Sequence, residues 1–145
     1  MEILNRKARY DYFIEEEYEA GIVLTGTEIK SIRAGHCQLN DCYGIVRGGE
    51  VFLLNMYIAP YKEGNIFNHD ERRSRKLLLH KKEIKKISQA LELNGLTLIP
   101  IKGYFKDNKF KILLGVCRGK KNYDRRETIK EREIKREVNK KLKNY

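Results

Sequence analysis

KFKILLGVC, Lys109 to Cys117, alternates strictly: Phe110, Ile112, Leu114 and Val116 are apolar, and Lys109 and Lys111 stand between them. Successive side chains of an extended chain point to opposite faces, so the run predicts a strand with one buried face and its lysines outside. Asp107-Asn108 precedes it, a pair that tolerates the backbone of a tight turn. Residues 96–106 then read as the first strand of the same hairpin. Pro100 within that strand lacks an N–H for the ladder and predicts an edge or a bulge.

Working outward, residues 82–94 place Ile84, Ile87 and Leu91 at i, i+3 and i+7, with Asn94-Gly95 as a stop, and predict a helix decorated by Lys81, Lys82, Lys85 and Lys86. Two short apolar runs, residues 43–47 and 50–55, flank Gly48-Gly49 and predict a second hairpin. Thr25-Gly-Thr-Glu28 is a capping box, in which Thr25 accepts from the Glu28 amide while Glu28 reaches back. A short helix follows it, with Ile29 and Ile32 on one face and Gly35 at its end. The aromatic-rich residues 9–18 predict a strand, broken by Gly21 ahead of Ile22-Val-Leu24. Residues 59–75 read as a long polar loop and a candidate contact surface. The order strand, helix, hairpin, helix, hairpin predicts a mainly β fold with short helices (α+β), consistent with an OB-like antiparallel β-barrel.

One body is expected over residues 1–119 and a basic tail over 120–145. In the tail the apolar residues thin to Ile129, Ile134, Val138 and Leu142, the last three on one helical stripe. Glu131–Lys135 and Glu137–Lys141 are helix-supporting pairs, but nucleation is costly without a packing surface. The tail is expected to be disordered alone and helical on a partner.

The chain carries 31 Lys and Arg against 20 Asp and Glu, a net charge of +11. The tail holds +6 of it, so the body is basic too, and a polyanion, nucleic acid first, is the expected partner. An anionic membrane surface ranks lower because the apolar stripe is thin, and no apolar run nears the roughly 20 residues of a span. MEILNRKARY does not read as a secretory signal. Cys37, Cys42 and Cys117 fit no disulfide or zinc spacing, so a cytoplasmic protein is expected.

No enzyme motif is present: no glycine-rich phosphate loop, no His-x-x-x-His, no Cys-x-x-Cys and no nucleophile elbow. His36, Cys37 and Cys42, with His69 or His80, match no metal-ligand pattern and read as core thiols and loop histidines. Glu15-Glu16-Glu17 point to alternate faces of a strand. A ribonuclease built on His69 and His80 would need partners that the sequence does not supply. No catalytic residue, cofactor or metal is therefore predicted. Basic residues do recur beside aromatic or apolar ones: Arg6-Lys7-Ala-Arg9-Tyr10, Lys30-Ser-Ile-Arg33 and Arg72-Arg73-Ser-Arg75-Lys76. Cations for phosphates beside surfaces for unpaired bases point to nucleic-acid binding, RNA ahead of DNA since no helix-turn-helix or zinc finger is present.

The run NRKARYDYFIEEEYEAGIVLTGTEIKSIRAG (Asn5–Gly35) resembles the opening block of the bacterial tmRNA-binding family, small protein B (SmpB). FNHDERRSRKLLLH (Phe67–His80) and RGKKNYDRRE (Arg118–Glu127) resemble later blocks of the same family, in the same order. The resemblance implies an OB-like barrel with a tail unstructured in solution. It implies an adaptor, not an enzyme, that binds the tRNA-like domain of tmRNA as a monomer and enters stalled ribosomes. There it would replace the missing anticodon arm, in trans-translation.

Carried over residue by residue, the RNA-facing surface would include Asn5, Arg6, Glu19, Leu78, His80 and Gly119, with Lys30, Arg33, Lys76, Lys120 and Lys121 as phosphate contacts. Glu19 would accept from a base or a 2′-hydroxyl, or position an arginine. Leu78 is either an apolar platform for a base or part of the core. Tyr123, Asp124, Arg125 and Arg126 would meet the small-subunit rRNA of the decoding centre, and the chain beyond about residue 128 would lie as a helix in the empty message channel. Arg125 stands where lysine is usual and Tyr123 where histidine is frequent. A structural ribosomal protein, present in every ribosome, is the alternative class.

Overall fold

The computed structural model describes residues 1–62 and 68–120. Nine strands and three helices follow in the order β1 (Glu2–Leu4), α1 (Arg6–Asp11), β2 (Tyr12–Ile22), α2 (Gly26–Arg33), β3 (Cys37–Gln38), β4 (Tyr43–Arg47), β5 (Glu50–Leu54), β6 (Tyr57–Ile58), β7 (Arg75–Leu78), α3 (Lys81–Asn94), β8 (Thr97–Lys106) and β9 (Lys109–Gly119) among the described residues.

The hairpin read from residues 96–118 anchors the fold. Phe110, Ile112, Leu114 and Val116 are all buried in the main core. Asp107 and Asn108 take φ of 53° and 64°, and Gly48 and Gly49 take 59° and 76°. These are the left-handed positions that a two-residue hairpin turn demands, matched to the twist of its strands. Pro100 lies at a register shift between Pro100 and Lys102, the expected bulge.

The sheet closes on itself. Its order is β1-β8-β4-β5-β7-β2-β9, and β9 also pairs with β8, so six antiparallel strands form a ring with β1 added outside β8. The seam between β4 and β8 is one pair, Gly44 opposite Leu98. A Cβ on Gly44 would lie 2.4 Å from Leu98 Cδ2, so only glycine lets the two strands approach here. Ile32 from α2 and Ile87 from α3 are buried against the ring. The capping box is present, with Thr25 N–H donating to Glu28 Oε1 at 2.8 Å.

Two expectations are corrected. Residues 6–11 form a helix, and β2 begins only at Tyr12. The aromatic strand formers are overridden by tertiary packing: Ala8 is buried with Ile99 and Cys117 in a second small core, against Tyr12 and Ile14. Nor does Gly21 break β2. It pairs with Leu78 on one side and Lys111 on the other. Its Cβ would stand 3.3 Å from that of Leu78, a tight fit that bare glycine relieves. The cysteines are buried as read, and burial pushes each thiol up to about 12.

Candidate nucleic-acid interface

Strand β7 alternates inward and outward: Arg75 and Leu77 are buried, whereas Leu78 is 51% exposed. Leu77 therefore belongs to the core and Leu78 does not. Pairing of Leu78 with Gly21 brings β7 beside β2, and His80 follows as the N-cap of α3. Glu19, Leu78 and His80 thereby line one open cleft of about 540 Å³. Lys109, Lys111 and Phe105 line it too. Sequence reasoning placed both lysines outward without recognising the cleft; the strict alternation of β9 was the available signal.

Glu19 is occupied. It accepts from the Tyr104 hydroxyl, and Lys106 Nζ lies 3.5 Å from its other oxygen. The Tyr104 hydrogen bond holds its carboxyl below the ordinary range. Burial and the same bond push the Tyr104 phenol up to about 12. A carboxylate already bound by two donors adds little net repulsion to the cleft, and its remaining lone pairs stay available to an amino or hydroxyl donor. The Arg33 guanidinium lies 4.3 Å from the Phe105 ring centroid, at the rim. This cation–π contact holds the guanidinium against the aromatic face. Lys30 lies over Tyr61 at 5.4 Å, and Lys76 pairs with Glu50 at 2.8 Å on the neighbouring strand.

Asn5, Arg6, Gly119 and Lys120 gather elsewhere. Tyr12 pairs with Gly119 at one end of the β2–β9 ladder, and Gly21 pairs with Lys111 at the other. At about 3.3 Å per residue these ends are roughly 30 Å apart. At the first end Arg6 and Arg9 are exposed on α1, and Lys120 Nζ donates to the Arg9 carbonyl at 3.0 Å while lying 5.0 Å from the Phe13 ring centroid. Asn5 is different: only 5% is exposed, and its Nδ2 donates to the Pro100 carbonyl at 2.8 Å. Glu19, Leu78 and His80 therefore stand toward one end of the β2–β9 ladder, and Arg6, Gly119 and Lys120 at the other.

The run Arg72-Arg73-Ser-Arg75-Lys76, read as a phosphate-binding cluster, is largely used inside the protein. Arg75 is fully buried, with Nε 2.5 Å from Glu28 Oε2 and Nη1 donating to the Met56 carbonyl at 2.6 Å. Arg73 Nη2 meets the other Glu28 oxygen at 2.6 Å. Burial alone would raise the Glu28 carboxyl, but hydrogen bonds from Arg73, the Thr25 amide and Arg75 outweigh it and hold the group below the ordinary range. The same carboxylate that caps α2 therefore ties it to β7. His69 is also structural, bridging Thr27 Oγ1 and the Ile58 carbonyl, each at 2.9 Å. Lys121, Tyr123, Asp124, Arg125 and Arg126 lie outside the described residues.

A family model described as SmpB protein matches residues 2–144. A protein of Ligilactobacillus salivarius described as SsrA-binding protein is 56% identical over 141 residues, spanning 97% of this chain and 91% of the relative. One from Staphylococcus saprophyticus, described in the same words, is 58% identical over 139 residues, spanning 96% and 90%. A chain of the solved structure described as "tmRNA-SmpB: a journey to the center of the bacterial ribosome" matches with a TM-score of 0.70 and 50% identity, over 82% of this chain and 84% of that one.

Proposed function

The chain belongs to the SmpB family, and on that premise we propose that it is the RNA-binding adaptor of trans-translation, not an enzyme. It binds the tRNA-like domain of tmRNA and accompanies it to stalled ribosomes. The observation that carries this reading is the match along almost the full chain, joined to a basic body whose open cleft combines lysines with an exposed leucine and an arginine-stacked phenylalanine. Lys109 and Lys111 supply charge for the backbone, and Leu78 supplies a surface for an unpaired base.

Finer features belong to the same proposal. The closed ring of six strands supports an OB-like barrel as the RNA-binding body of residues 1–119. Residues 120–145 serve as the ribosome-facing tail, with Tyr123 to Arg126 at the decoding centre and the rest along the empty message channel. Its charge of +6 suits an rRNA wall. The adaptor acts as a monomer on one tmRNA, in the cytoplasm.

The test is to recover the tagged full-length protein from bacterial extract and sequence its bound RNA. Strong enrichment of tmRNA is expected. Recovery of all ribosomal RNAs in fixed ratio, without tmRNA enrichment, would replace the adaptor with a ribosomal protein. Truncation after Lys121 is expected to preserve tmRNA binding and abolish tagging of stalled chains; loss of both together would contradict a separate role for the tail.

A further inference from the structure

Asn5 is among the residues that the family resemblance places on the RNA-facing surface, yet its side chain is turned into the protein. It is 5% exposed, its Nδ2 is bonded to the Pro100 carbonyl, and its Oδ1 is buried without a hydrogen-bond partner among the described residues. Its backbone is equally committed. Asn5 N–H donates to the Ile101 carbonyl at 2.9 Å, and its carbonyl accepts from Ala8 N–H at 3.1 Å in the first turn of α1. Residue 5 therefore fastens the start of α1 to β8 by main chain and side chain together, at the Pro100 bulge.

The helix so fastened is only six residues long. A helix of that length is unstable by itself and takes its orientation from what it is attached to. Its exposed side carries Arg6, Lys7 and Arg9, none of which makes an ion pair among the described residues. Lys120 joins them through its bond to the Arg9 carbonyl. A buried amide with an unmatched acceptor is less favourable than a smaller apolar residue in the same place. The bond to Pro100 joins β8 to the start of the helix that carries these cations.

We propose that Asn5 is a positioning residue for RNA binding, acting through Arg6 and Arg9 of α1, and that its carboxamide never touches RNA. The inference rests on the RNA-binding reading above. It predicts that a neutral residue controls an electrostatic quantity. Releasing one phosphate from its cation takes roughly 0.7–0.9 off the slope of log affinity against log salt, whereas removing a neutral hydrogen bond leaves that slope alone.

The experiment measures binding of the full-length protein to transcribed tRNA-like domain across salt concentrations. Asn5→Ala is expected to weaken binding about tenfold at low salt and to reduce the slope by about 1, as if a charge had been removed. In an Arg6→Gln/Arg9→Gln background the same change is expected to add less than twofold, because coupled residues are not additive. Weakened binding with an unchanged slope would reveal a direct neutral contact and overturn the inference. So would unchanged binding, or full additivity in the double background. If Arg6→Gln/Arg9→Gln itself leaves affinity and slope untouched, the RNA-binding reading of α1 falls and the inference falls with it. Asn5→Ser keeps a good N-cap residue but is too short to span to Pro100, and it carries the same expectations if the alanine variant fails to fold.

Discussion

Arg75 and Glu28 meet at 2.5 Å with both side chains wholly buried, joining the strand that carries the cleft's leucine to the helix that carries Lys30 and Arg33. Two charges withdrawn from water are tolerable only when each is fully partnered. Here Glu28 receives Arg73, Arg75 and the Thr25 amide, and Arg75 also reaches the Met56 carbonyl.

Removing one partner strands the other. Arg75→Ala is expected to destabilise the fold by about 3–5 kcal/mol, read as a lower urea midpoint. The double change Arg75→Met, Glu28→Leu is expected to recover part of that loss. A loss below about 1 kcal/mol for Arg75→Ala would mean that the ion pair is incidental.

Acid should find the same carboxylate. The folded-state pKa of Glu28 lies below its ordinary value of 4.5, so its contribution is complete above that value and is lost as pH falls through the lowered one. Stability of the native protein should therefore decline below about pH 4.5, and Glu28→Gln, though less stable at neutral pH, should show a shallower decline. Urea melts at a series of pH values measure both slopes; parallel slopes would remove Glu28 from the acid transition.

Leu78 offers a cleaner separation of binding from stability. With half of its side chain exposed, Leu78→Ala should change stability by about 0.5 kcal/mol or less. If it forms a base platform, affinity for the tRNA-like domain should fall about fivefold, in keeping with roughly 1 kcal/mol for covering the exposed half of a leucine. Unchanged affinity would return Leu78 to the ordinary surface.

Gly44 tests the ring. Gly44→Val places a branched side chain where even a Cβ lies 2.4 Å from Leu98, and about 1–3 kcal/mol of destabilisation is expected. Amide exchange should accelerate first at the β4–β8 seam, because a single backbone pair joins the two strands there. Uniform acceleration across the sheet would show that the seam is not a separate unit.

What could be read from sequence depended on whether a residue's neighbours in space were also its neighbours in the chain. The alternation of Phe110 to Val116, the turn pairs Asp107-Asn108 and Gly48-Gly49, and the Thr25–Glu28 box are local, and each has its expected structure. α1 is too short to show a helical period and owes its form to Ala8 meeting Ile99 and Cys117, far along the chain. Arg72 and Arg75 look alike as letters, yet Arg72 lies exposed in the turn before β7, whereas the alternation of β7 turns Arg75 inward onto Glu28. The separation of Glu19 from Gly119 by most of the β2–β9 ladder was likewise invisible, since a resemblance names residues without saying which share an end.

A sheet that returns to its first neighbour cannot be built strand by strand in the order of synthesis. β4 and β5 can pair as soon as they exist, but β4 must wait for Leu98 before its other side is covered, and β8 in turn waits for β9. Non-local pairings of this sort form late. A copy of this chain whose own translation halted between β5 and β8 would hold an open, unfinished edge, a state prone to aggregation. The protein takes shape only once nearly all of its body has been made.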